Sequence, residues 1–159
     1  MREFKRRFYR SLHEVLIDMR SALSQRETLG AAVRGEGIDP AFRERLMLVV
    51  TGVNGCRYCS YVHAREALAA GISRDEIRAL GESMFAGSPP EEVPALLYAQ
   101  HWAETDGKPE PAVRERIGEQ YGRDALKRIE AVLRVIRMGN LMGNSVDFVL
   151  HRVSFGRWA

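Results

Sequence analysis

Cysteine is scarce in this 159-residue chain, proline is sparse, and charge of the two signs is nearly balanced. Two cysteines cannot staple a secreted mini-protein, and a domain of this length needs no staples, since it buries roughly 70% of its unfolded surface. Six prolines and fourteen glycines exclude a collagen-like or low-complexity chain. No apolar run approaches the ~18 residues that cross a bilayer, so no membrane partner is expected. The opening residues, MREFKRRFYR, are charged and carry none of the apolar stretch of a secretory signal, which leads to the expectation of a cytoplasmic protein. With 24 Lys and Arg against 21 Asp and Glu, the net charge is +3, too small an excess to mark a nucleic-acid partner. Strict apolar–polar alternation, the signature of a half-buried strand, is almost absent.

Helix punctuation is present throughout instead. Phe4, Phe8, Leu12, Val15, Leu16, Met19 and Leu23 recur mostly at steps of three and four, which predicts one amphipathic helix from the start of the chain. Residues 28–34 predict a further short helical turn before Gly35-Glu36-Gly37. Asp39 and Pro40 read as an N-cap followed by proline at the first helical position. They open a helix carrying Phe42, Leu46, Val49, Val50 and Val53 that closes at Asn54-Gly55. The run Leu46-Met47-Leu48-Val49-Val50 would suit a buried strand taken alone, but the cap before it and the lack of a partner strand favour helix. A helix over about 55–70 follows, with Gly71 as its left-handed terminus. Ser73 and Glu76 form a capping box for the next one. Ser88-Pro89-Pro90-Glu91 opens a helix running through Trp102, its regular part delayed a turn by Pro94. A short helix over about 110–121 and a long one over about 124–153 complete the chain, the last interrupted at Gly139 and Gly143. The fold class is all-α in a single domain. Residues 39–159 form the helical core, and residues 1–38 form a helical extension that packs on the core or on a neighbouring subunit.

The chemistry concentrates in one stretch, Asn54-Gly55-Cys56-Arg57-Tyr58-Cys59-Ser60-Tyr61-Val62-His63. On a helix, Cys56, Cys59 and His63 fall at i, i+3 and i+7 and share one face. Both cysteines lie near the first turn, where unpaired amides and the helix dipole stabilise a thiolate. A His one turn beyond Cys59 is placed to take its proton or to stabilise the anion. Two residues three apart on a helix have Cα atoms about 5 Å apart, within reach of a disulfide. These features suit a reversible dithiol–disulfide centre. A structural zinc site wants four ligands and only three are supplied. Covalent haem attachment wants His directly after the second cysteine, where Ser60 stands. A thioredoxin-like centre wants a strand before the pair. Two inert buried cysteines and a core histidine make the bland alternative.

The stretch resembles the AhpD-like alkylhydroperoxidase and carboxymuconolactone decarboxylase superfamily, whose members are all-helical bundles. The AhpD-type pattern is a Glu, eleven intervening residues, then Cys-x-x-Cys-x-x-x-His, and Glu44, Cys56, Cys59 and His63 match it. The resemblance is strong over about residues 41–81 and general beyond them. It implies that Cys59 is the peroxidatic thiol, activated by His63 with Glu44 across a water, and that Cys56 resolves the sulfenic acid to a disulfide. It further implies a peroxide substrate, no bound cofactor, an external dithiol reductant such as a lipoyl group or a lipoyl-bearing protein, and a homo-oligomer, trimeric or hexameric. One departure stands at Tyr58, where AhpD carries a second His. A phenol with a pKa near 10 replaces a group titrating near neutrality, leaving Tyr58 to hydrogen-bond a peroxide or a thiolate, or to pack. The spacing alone leaves the order of the two thiols open, since roles swap in simple thiol exchange.

The functional expectation is therefore a thiol-dependent peroxidase or disulfide oxidoreductase. A decarboxylase or lactone-handling enzyme on the same fold, or a non-enzymatic redox sensor, are its alternatives. Asn140, Asn144, Asp147 and His151 form a polar stripe on the last helix that reads first as a hydrogen-bonded seam and second as a site or subunit contact. Gly139 and Gly143 beside it allow another helix to approach closely. His13 and His101 read as structural. Arg2, Lys5, Arg6, Arg7 and Arg10, interleaved with Phe4, Phe8 and Tyr9, read as a solvated face whose apolar side packs on the body or on a neighbouring subunit.

Overall fold

Asp39 sets the start of the central helix: its carboxylate accepts the Phe42 N–H at 3.0 Å, and Pro40 occupies the first turn, where no amide is needed. The computed structural model describes residues 3–155; among them are eight helices and no strand. In chain order these are α1 Leu12–Ser24, α2 Arg26–Arg34, α3 Pro40–Asn54, α4 Arg57–Ala69, α5 Arg74–Gly81, α6 Val93–Glu104, α7 Pro111–Tyr121 and α8 Arg123–Val153. Arg2 lies outside the described residues.

Helix α3 is the hub, packed against α4, α5, α6 and α8. The run Leu46 to Val50 is buried on every side, which is why it reads as a continuous apolar stretch although it is helical. Leu96, Tyr98, Ala99 and Trp102 of α6 and Ile129, Val132, Leu133 and Ile136 of α8 close over it. Two polar pairings tie this frame together. Arg45 donates to Glu76 at 2.7 Å and to Glu92 at 3.2 Å, tying α3 to α5 and to the approach to α6. The Tyr98 hydroxyl donates to Glu130 at 2.6 Å, and burial together with that carboxylate pushes the phenol pKa up.

Three expectations from the sequence are corrected. The first helix begins at Leu12, not at Phe4, because Ser11 caps it and the residues before Ser11 find better partners on the body. Residues 3–10 form a non-helical strap: Phe8 stacks on Phe148 of α8 with ring centroids 4.2 Å apart, and Phe4 meets both rings edge-on. The Arg7 N–H donates to the Asn54 carbonyl at 3.2 Å, and Arg7 Nη1 to the Ala103 carbonyl at 2.7 Å. The Tyr9 hydroxyl donates to Asp18 at 2.8 Å, its pKa raised by burial and by that carboxylate. Next, Ser88 does not open α6. Its hydroxyl donates to Glu76 at 3.1 Å, and the regular helix waits until Val93. Finally, Gly139 and Gly143 do not interrupt α8, which runs unbroken for 31 residues. The cost of glycine in a helix, about 1 kcal/mol each, is offset by the packing of α8 along α2 and α3.

Leu12, Leu16, Met19 and Leu23 on α1 and Met142, Val146, Val149 and Val153 on α8 are left exposed, two rows with the same helical spacing. α2, by contrast, delivers Leu29 and Ala32 into the main core. His13 is exposed on α1, and His101 pairs with Glu110.

Glycine spacing between α3 and α5 gives a direct test of the packing. A Cβ on Gly52 would stand 2.5 Å from the Gly81 carbonyl oxygen, whereas a Cβ on Gly81 meets nothing within 4 Å. Gly52→Ala should therefore lower stability by about 1–3 kcal/mol. Gly81→Ala should be neutral or raise it by up to ~1 kcal/mol through helix propensity. Paired urea unfolding curves decide it, and equal effects would show that α3 and α5 are not this close.

Candidate redox site

The turn between α3 and α4 builds the site. Gly55 closes α3 with φ +72°, a left-handed conformation that a Cβ would strain, and its N–H returns to the Thr51 carbonyl at 2.8 Å. The chain then reverses within two residues, so that α4 folds back against α3. Cys56 stands at the N-cap of α4, and its sulfur accepts the Cys59 N–H at 3.3 Å. A sulfur thus occupies the place that Ser or Asp usually fills, against one of the unpaired amides of the first turn.

Cys56 and Cys59 are joined as a disulfide, with Cα atoms 5.3 Å apart. Neither is on the open surface: Cys56 is 1% exposed and Cys59 is 8% exposed. Cys59 is thus the more accessible residue of the pair and lies one helical turn before His63. Cys56 is sealed from the other side by α8, where a Cβ on Gly143 would come within 3.3 Å of its Sγ.

Glu44 and His63, nineteen residues apart, meet across the α3–α4 contact. His63 Nδ1 lies 2.8 Å from Glu44 Oε2, and Glu44 is 2% exposed. A carboxylate this deep requires compensation. Arg43 supplies it from the preceding residue, with Nε at 3.1 Å and Nη2 at 3.0 Å from Oε1. With Nδ1–H donating to Glu44, the neutral imidazole carries its lone pair on Nε2, the arrangement of a positioned base.

All four residues singled out by spacing, Glu44, Cys56, Cys59 and His63, are therefore brought to the α3–α4 contact, two as a disulfide and two as a hydrogen-bonded pair. Tyr58 is not drawn in. The residue is 74% exposed, next in the chain to Cys59. The structure joins to these four residues the polar stripe of α8 and, from outside it, Arg6, Arg7, Thr51, Asn54 and Arg57. Asp147 of α8 pairs with Arg6 of the strap and, at 3.3 Å, with Arg57 of α4, fastening strap and helix to each other at the cysteines. Asn144 Nδ2 donates to the Arg7 carbonyl at 2.7 Å and the Asn54 carbonyl at 2.9 Å. Asn54 Nδ2 donates to Asn140 Oδ1 at 3.1 Å, and Asn140 Nδ2 donates to Thr51 Oγ1 at 3.2 Å. Most of the polar stripe on α8 is thus the hydrogen-bonded seam of its first interpretation, laid against the turn that carries Cys56. His151 ends the stripe as a buried residue with the Phe4 ring beside it. The signals for these contacts in the sequence were the stripe itself and Gly143, a close-approach residue inside it.

The family model for the carboxymuconolactone decarboxylase family matches residues 20–105, more than half of the chain, and spans Glu44, both cysteines and His63. No curated protein and no solved structure matches the chain.

Removing the buried carboxylate leaves Arg43 and His63 without their shared partner. Glu44→Ala should cost about 3 kcal/mol or more, and Glu44→Gln, which keeps an acceptor for Nδ1–H, distinctly less. Urea midpoints measured under reducing conditions test the order of the two variants.

Proposed function

The chain belongs to the carboxymuconolactone decarboxylase family, and from that premise we propose that it is an AhpD-like thiol oxidoreductase that reduces hydroperoxides through Cys56 and Cys59. One observation carries this reading: the two cysteines form a disulfide at the start of α4, one turn before a histidine held by a buried glutamate. Decarboxylation has no use for a dithiol.

The chemistry starts from the dithiol. His63 Nε2 takes the proton of Cys59, and the resulting thiolate attacks the terminal peroxide oxygen. The O–O bond breaks, the alkoxide leaves with the proton from His63 as an alcohol, and Cys59 becomes a sulfenic acid. Cys56 then attacks that sulfur, and the sulfenic hydroxyl leaves with the Cys56 proton as water. The disulfide is returned to two thiols by an external dithiol, which is itself oxidised. The assignment of Cys59 as the first nucleophile is supported by its greater exposure and its place one turn before His63; Cys56, sealed under α8, suits the resolving role. Glu44 holds His63 in the tautomer with a free Nε2 and balances the imidazolium formed in the first step. Tyr58, exposed and next in the chain to Cys59, suits contact with the incoming peroxide or reductant more than proton transfer. The exposed rows on α1 and α8 support assembly into a homo-oligomer, since rows of this length are otherwise solvated at a cost.

Cys59→Ser should abolish peroxide consumption. Cys56→Ser should consume one equivalent and stop at a sulfenic acid that a dimedone adduct reveals by mass. His63→Gln should slow the first step by roughly a hundredfold or more at neutral pH without changing the number of thiols. Counting free thiols before and after one equivalent of organic hydroperoxide, with a chelator present, tests the core of the reading. Thiols that react with an alkylating agent yet ignore the peroxide would refute it.

A further inference from the structure

Asn144 presents an unusual atom. The residue is completely buried, and its Oδ1 has no hydrogen-bond partner among the described residues. The amide is not free to turn round, because its nitrogen faces the carbonyl oxygens of Arg7 and Asn54, which accept and cannot donate. Oδ1 is therefore the orphan by necessity, and a buried carbonyl without a donor costs free energy. The residue before it in the chain points to a donor. Gly143, the preceding residue, lies against Cys56 Sγ, and the Asn54 carbonyl that Asn144 holds is two residues before that cysteine. The sulfur of Cys56 carries no hydrogen in the disulfide and gains one on reduction.

Resting on the dithiol reading above, we propose that Asn144 is a positioning residue of the redox centre, its Oδ1 accepting the S–H of reduced Cys56. Reduction adds two electrons and two protons to the disulfide, and one of those protons sits on Cys56 Sγ, where it satisfies the orphan. Two consequences follow. The unpaired carbonyl burdens the disulfide and not the dithiol, so Asn144 makes the centre easier to reduce. A hydrogen bond from the S–H also favours the thiol of Cys56 over its thiolate, leaving Cys59 as the sulfur that ionises first. Asn144 lies outside residues 20–105, so the family match does not reach it.

The test needs no peroxide. The purified protein is equilibrated in mixtures of reduced and oxidised dithiothreitol, in which two protein thiols are oxidised as the reagent's disulfide is reduced, and the dithiol fraction is read by thiol trapping. Asn144→Ala should shift this equilibrium toward the protein disulfide by roughly fivefold to tenfold, the worth of one hydrogen bond. Asn140→Ala, which opens the same seam one turn away, should leave it within twofold. In the Cys59→Ser background, Asn144→Ala should also move the pH profile of Cys56 alkylation to lower pH. If Asn144→Ala fails to fold, infrared spectra of the reduced natural protein still decide: the S–H band lost in Cys56→Ser should lie below that of a free thiol. An unshifted band, or equal shifts from Asn140→Ala and Asn144→Ala, overturns the inference while leaving the dithiol reading intact. A pair that never oxidises in the buffer refutes both.

Discussion

Two distant segments converge on the last residue of α3, and the site exists because of it. The Asn54 carbonyl accepts from Arg7 of the strap and from Asn144 of α8, and its side chain donates to Asn140. Buried amides of this kind tolerate little displacement, since a shift of one residue would leave several polar groups unpaired in a low-dielectric interior. The register of α8 against α3 is fixed there, and with it the position of Gly143 over Cys56. The same residue precedes the Gly55 reversal, so the constraint also aims α4. Hydrophobic burial along Leu46 to Val50 supplies the larger share of the driving force for packing α3, but it is non-directional. The asparagine seam turns that packing into one arrangement.

Charge follows the same logic on the other side of α4. Glu44 is placed among core residues, where an isolated carboxylate would be costly, and Arg43 and His63 divide its two oxygens between them. The arrangement couples chemistry to fold. A histidine locked through Nδ1 keeps a defined tautomer, and the helix that carries it is held by the bond that defines it. Cys56 and Cys59 are shielded from bulk water, yet they sit at the first turn, where an amide is available to a sulfur.

The strap gives the chain a feature beyond the matched segment. Residues 3–10 run over the α3–α4 turn and are fastened by Phe stacking on α8, by the Arg6–Asp147 pair and by Arg7. Arg57 shares Asp147 from the helix that holds the cysteines. Burial of strap and turn is therefore mutual, and the aromatic residues at the start of the chain serve a tertiary contact that no helical period describes.

Local signals were decisive wherever the physics is local. Asp39 and Pro40, Gly55, and Ser73 with Glu76 mark helix ends through hydrogen bonds that span only a few residues, so both ends of α3 and the start of α5 were legible in the chain. So was the disulfide, because a spacing of three at a helix start brings the two Cα atoms within bridging distance, although Cys56 is the N-cap of α4 and not a residue of its face. Glu44 was legible only through a resemblance; spacing by itself says nothing of a residue nineteen positions from His63. Tertiary structure alone decided the strap, where Phe4 and Phe8 obey the helical period yet gain more from Phe148 than from a further turn of helix. It alone decided that α8 runs unbroken past two glycines, that the polar stripe is a seam, and that Asn144 carries a buried oxygen with no partner among the described residues. Capping and periodicity act within a turn or two of the backbone. Which distant surfaces meet is settled by the simultaneous pairing of buried groups from several elements, and no single stretch of the chain contains that information.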